Sequence, residues 1–214
     1  CLIIMIDESM TKDADDDHYS VFKQVEDFDF SGSLNETTPI IKVFKYAHGN
    51  MHDSILRGFD LLYAYCDTIS TIDSDTIQTS NWIKQLHKTL ENAKKENVNV
   101  LLSGFNVESP RHVVLERNPN FLLKNSIGGC HMMFSASMYI EAIRPCLVSH
   151  KWDSNIITNI NHLNESDDDQ KYKIVTTNPS VIQHIGIDTS IPSRIGNTSW
   201  DQSTDFIAPS TLFH

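Results

Sequence analysis

The chain has few cysteines, no long apolar run and no excess of positive charge, and each shortage excludes something. Its four cysteines, Cys1, Cys66, Cys130 and Cys146, are scattered without a C-x-x-C pair, so a disulfide scaffold is not expected. A reducing, cytoplasmic setting is the simpler expectation. The opening Cys1-Leu-Ile-Ile-Met-Ile6 is too short for a signal-peptide core, and no later stretch approaches the length that spans a bilayer. No membrane anchor is therefore expected in this chain. Seventeen Lys and Arg stand against twenty-eight Asp and Glu, a formal net charge of -11. Such a field repels polyanions, which argues against a nucleic-acid partner. A phosphate-bearing ligand would need a divalent cation or a few placed basic groups. Internal repeats and low-complexity linkers are also missing.

What is present is ordinary globular composition. A hydrophobic fraction of 40% with 21% charged residues is too apolar for wholesale disorder, and 214 residues fit one domain spanning 1–214. Leu2 to Ile6 reads as a buried strand that delivers Asp7-Glu8-Ser9 at its carboxyl end, where α/β proteins hold ligands. The acidic run Asp13 to Asp17 reads as a solvated helix start, with Tyr19, Phe22 and Val25 following at helical spacing. Ile40 to Tyr46 is a second strand. Asn50 caps a helix whose apolar face carries Ile55, Leu56, Phe59, Leu62 and Tyr63, with Arg57 opposite.

The β-branched run Thr68 to Ile72 then stops abruptly at Asp73-Ser74-Asp75. A helix from Ser80 presents Trp82, Ile83, Leu86, Leu90 and Ala93 on one face, and Val98 to Leu102 is the next strand. Strands alternating with amphipathic helices predict an α/β domain with a mostly parallel sheet and helices on both faces. Ser109 to Leu123 shows no clear period. Gly128-Gly129 leads into the apolar His131 to Phe134, and a helix is expected over Trp152 to Leu163. An exposed acidic turn at Asp167 to Asp169 precedes the strand Lys173 to Thr176. The remainder, rich in Ser, Thr, Pro and Ile, reads as an extended segment folded over the domain.

The two carboxylates Asp73 and Asp75, one residue apart past a buried strand, can address one hard cation directly or through water. Asp15 and Asp17 share the spacing without the strand before them. Asp153 reads by itself as a good helix cap. Arg57 is a candidate phosphate ligand or an exposed helix arginine. Asp7 reads either as a partner of base or ribose or as an ordinary polar strand end. His184, after Val181 and Ile182, is by itself a satisfied core histidine. His131 is expected to be structural, and Cys130 and Cys146 small buried hydrophobes.

The stretch Ile69-Ser-Thr-Ile-Asp-Ser-Asp-Thr-Ile-Gln-Thr-Ser-Asn-Trp-Ile-Lys84 resembles the strand, D-x-D loop and following helix of the GT-A glycosyltransferases. In that family a helix with a basic residue precedes the acidic strand, as Arg57 does here. Gly128-Gly129-Cys130 is similar to the family's acceptor-side loop, and Trp152-Asp153 sits where these enzymes place a catalytic acid. Pro179-Ser-Val-Ile-Gln-His-Ile-Gly186 resembles the segment whose histidine completes the metal site. The size and acidity are most similar to viral glycosyltransferase domains that build capsid glycans. The resemblance implies a Rossmann-like GT-A domain with a nucleotide-binding half over about 1–104 and an acceptor-side half over about 105–214. It implies Asp73, Asp75 and His184 around Mn²⁺ or Mg²⁺, the imidazole favouring Mn²⁺. It implies Asp7, Arg57, Asp73, Ser74, Gly128 and Gly129 around a UDP-sugar, and Asp153 as the catalytic carboxylate. The activity implied is transfer of a hexose or deoxyhexose to a glycan acceptor with retention. It also allows the chain to be one domain of a longer protein. Two other readings stand beside it. One is a phosphatase of the haloacid dehalogenase type, whose D-x-D loop lies on the first strand. The other is a non-catalytic module that binds nucleotide sugar.

Overall fold

A computed structural model describes residues 2–7, 41–46, 51–73, 75–94, 98–149, 151–165, 171–185 and 202–207. The helix expected around Tyr19 to Val25, the Asn50 cap and the acidic turn at Asp167 to Asp169 lie outside them, as does Ser74.

Strands β1 (Leu2–Asp7) and β2 (Ile41–Tyr46) pair in parallel, with Leu2 opposite Ile41 and Asp7 opposite Tyr46. Helix α1 (Met51–Tyr63) leads to β3 (Thr68–Ile72) and the short β4 (Thr76–Gln78). Helix α2 (Trp82–Ala93) and β5 (Asn99–Ser103) follow. The stretch 109–123, which shows no period in the sequence, contains a hairpin of β6 (Val114–Asn118) and β7 (Phe121–Lys124), irregular in register between Val114 and Glu116. Strand β8 (His131–Ser135) runs into a composite helical segment. Its parts are the single turn α3 (Ala136–Met138), a π-helical turn (Tyr139–Ile143) and a 3₁₀ turn (Arg144–Cys146). Helix α4 (Trp152–Glu165), β9 (Tyr172–Thr177) and β10 (Ile182–His184) complete the described elements.

Six strands form one sheet in the order β3-β8-β5-β9-β7-β6. The expectation of a mostly parallel sheet is wrong here: only β5 and β9 pair in parallel, and the other four neighbours are antiparallel. The β6-β7 hairpin joins its strands by a short turn and therefore reverses direction, which no crossover helix does. The sheet is mixed, and the architecture is α/β with helices on both faces.

Alternation along the central strands divides the core in two. Leu101, Met132, Phe134 and Ile174 point to one face, where they meet Phe59 of α1, the composite segment, and Trp152, Ile156 and Ile160 of α4. Val100, Leu102, Met133 and Val175 point to the other, against Leu86, Leu90 and Ala93 of α2 and Val181 and Ile182. Both faces are covered, so the strands read as continuous apolar runs. Ile83, expected on the inner face of α2, is instead 55% exposed, and the helix begins at Trp82, two residues after Ser80. Cys146 is buried as expected, whereas Cys130 is only half-buried. Residues 202–207 fold back on the body: Thr204 N donates to Asn106 O at 3.1 Å and Ser203 N to Gln183 Oε1 at 3.0 Å.

Candidate metal centre

The acidic loop leaves the sheet at the end of β3, an edge strand. Its geometry is set by the backbone: Asp73 N donates to Cys130 O at 2.9 Å, and the Thr76 hydroxyl donates back to Asp73 O at 2.8 Å. Strand β10 then runs antiparallel to β4, with Ile182 opposite Gln78 and His184 opposite Thr76. Ile185 N donates to Asp75 O at 2.8 Å. This ladder carries the imidazole of His184 to the carboxylates, and His184 Nε2 lies 3.2 Å from Asp75 Oδ2. One ligand atom from each of Asp73, Asp75 and His184 falls within 4.8 Å of the others. His184, read from sequence alone as a core histidine, is nearly buried, its side chain 11% open, yet its partner is an acid.

Gly104 holds β10 in place. Its carbonyl accepts from Val181 N at 2.9 Å and Ile182 N at 3.0 Å, and a Cβ there would lie 2.8 Å from Ile182 Cδ1. Its own N–H donates to Nδ1 of His131 at 3.0 Å. That bond places the ring proton on Nε2, 3.1 Å from Ser70 Oγ. His131 is thus fully buried, neutral and structural, with burial pushing its pKa down to about 3.

Asp153 lies in the first turn of α4 and not at its cap. Its Oδ1 accepts from Ser154 N at 2.7 Å. Its other oxygen would lie 3.3 Å from a Cβ placed on Gly129, and Trp152 Cζ2 would lie 3.2 Å from it, so the loop approaches α4 closely and a side chain there would crowd it. Gly128 meets open space at the same point. Asp73 is largely open to solvent, but protein atoms crowd its carboxyl. Lost hydration, then the charges of Asp75 and of Asp153, push its pKa up to about 7. The loop, the Gly129 turn and the start of α4 therefore form one electrostatic unit. Two of these carboxylates and the imidazole of His184 lie close enough together to hold one divalent cation.

Arg57 is exposed on α1, and Asp7 ends β1. Two residues escaped the sequence reading altogether: Arg111, whose Nη2 donates to Ser154 Oγ at 2.6 Å, and His112 beside it. Both sit in the stretch without period, where no spacing marks them.

No protein-family model matches the chain, and no curated protein resembles it in sequence. Among solved structures it is similar to a mannose-1-phosphate geranyltransferase from Thermus thermophilus. The TM-score is 0.39 and the identity 11%, over 64% of this chain and 53% of that one. The chain thus spans about half the length of that protein. A likeness this distant carries no functional weight, which falls on the side chains. No helix among the described residues is long and apolar enough to cross a membrane.

Proposed function

We infer that the chain is a divalent-metal-dependent glycosyltransferase that moves a hexose or deoxyhexose from a UDP-sugar to a glycan acceptor with retention. One observation carries this reading: Asp73 and Asp75 gather with His184 within 4.8 Å, beside a further carboxylate, Asp153. The resemblance of the acidic stretch to the GT-A pattern supplies the donor class and the stereochemistry. Asp73, Asp75 and His184 would hold Mn²⁺ or Mg²⁺. Bound there, the cation would act as a Lewis acid that neutralises the diphosphate leaving group. Asp153, held by Ser154 N and pressed against Gly129, offers its second oxygen to the far face of the sugar as nucleophile and stabiliser, the role that retention requires. In this reading Asp7 borders the nucleoside, and Arg57, Ser74, Gly128 and Gly129 border the rest of the donor. The phosphatase alternative fits less well, because its acidic pair belongs on the first strand, whereas here it follows an antiparallel edge strand.

Isothermal titration of UDP with and without Mn²⁺, on the native chain and on Asp75→Ala, tests the reading. Binding is expected to need both the metal and Asp75. Asp153→Asn is expected to keep that binding and to lose about 10²-fold or more in turnover of a UDP-sugar. UDP binding that ignores Mn²⁺ or Asp75 sinks the proposal, and donor binding without any turnover in the native chain leaves a binding module.

A further inference from the structure

A cavity of about 560 Å³ opens along the outer hairpin, between Glu108, His112, Val113, Leu115 and Arg117. Its wall has an unusual polar feature. The Ser126 hydroxyl donates to Arg111 O at 2.8 Å, so its oxygen accepts from Nδ1 of His112 at 2.6 Å. The ring proton is therefore on Nδ1. Nε2 then keeps its lone pair. His112 is 7% exposed, and burial, with the charges of Lys124 and Arg111, pushes its pKa down to about 4. At neutral pH the wall presents an uncharged hydrogen-bond acceptor.

Around it, the Arg117 guanidinium grips both oxygens of Glu108 at 2.9 and 3.0 Å. Val113 and Leu115 are 42% and 61% exposed. Acceptors, a guanidinium donor and bare aliphatic surface match a neutral sugar: its hydroxyls donate, and its C–H face rests on Val113 and Leu115. Glu108 and Glu116 in the lining oppose a phosphate. The cavity also adjoins the catalytic side. Arg111 is bonded to Ser154, next to Asp153, and the Asp153 charge reaches His112.

We propose that this cavity binds a neutral hexose unit of the acceptor glycan, with Nε2 of His112 accepting one of its hydroxyl hydrogens and Leu115 supporting its apolar face. The proposal rests on the glycosyltransferase reading, but its test does not. The His112 ring signals are followed by NMR as methyl hexosides and hexose disaccharides are titrated into the full chain. The native chain, His112→Ala and Leu115→Asp are compared by calorimetric titration with the same glycosides, which needs no His112 signal, and each is also titrated with UDP and Mn²⁺. Leu115 is exposed, so its variant is expected to fold. The expected result is a saturable shift of the His112 ring with at least one glycoside. Affinity for it should fall about tenfold or more in both variants, and UDP affinity with Mn²⁺ should stay within about twofold. Glycoside binding at His112 without metal-dependent UDP binding would keep the cavity and remove the transferase reading. UDP binding with no glycoside shifting His112, or with Leu115→Asp binding as the native chain does, overturns the inference. Failure of both titrations overturns both.

Discussion

At the scale of single residues, two histidines show how local bonds set chemistry. His131 gives its Nδ1 lone pair to Gly104 N–H and its Nε2 proton to Ser70, whereas His112 keeps its Nε2 lone pair for a cavity. The folded pKa of His131, about 3, lies below the ordinary 6.5, so the unfolded chain binds the extra proton between those values. Its contribution is fully present above pH 6.5 and is lost as pH falls from there towards 3. Near pH 5 that loss is roughly 2 kcal/mol. Urea denaturation of the native chain and of His131→Gln between about pH 7 and 4.5 checks this: the native curve should fall more steeply. A parallel pair of curves would mean that the imidazole is not shielded. Such a residue is half legible in sequence. That His131 is structural follows from its place before an apolar run, but the identity of its partners depends on the close approach of β5, which spacing does not reveal.

Among the elements, β10 decides whether the acidic pair gains an imidazole beside it. It has three residues and leans on Gly104, whose Cβ-less backbone lets Ile182 and Val181 pack against it. Both side chains are buried and have no room to give. Gly104→Ala should therefore cost about 1–3 kcal/mol and shift β10, weakening Mn²⁺-dependent UDP binding together with stability. Thermal denaturation and titration of the same preparation check it, and unchanged binding would mean that His184 does not depend on this contact. The faces of α1 and α4 were legible because Phe59, Ile156 and Ile160 recur at helical spacing. Strand direction was not. A helix between two strands is compatible with either sense once another strand is inserted between them, as β8 is between β3 and β5. The β6-β7 hairpin was hidden because the shift between Val114 and Glu116 breaks its alternation.

For the whole molecule, the net charge of -11 concentrates like charge in the folded state, so cations can stabilise it by general screening as well as at a site. The two cases separate by site. If Mn²⁺ binds the folded chain at Asp73, Asp75 and His184, a concentration about 100 times its dissociation constant adds about 2.7 kcal/mol. The melting temperature should rise in the native chain, rise much less in Asp75→Ala, and respond little to an equal ionic strength of NaCl. A rise that survives Asp75→Ala would assign the effect to general screening. The acidity and the D-x-D loop were both plain in the sequence. What joins them, the return of the chain to the loop, belongs to the fold.

That return has a consequence for how the protein is made. The β4-β10 ladder pairs an early strand with the last described one, so a nascent chain that has not yet emerged past Ile182 exposes two crowded carboxylates and no imidazole. On the proposed metal-dependent reading, capture of the cation would come late in synthesis, and ribosome-held chains halted before and after His184 should differ in their uptake of Mn²⁺ although the sheet that carries the loop is already in place.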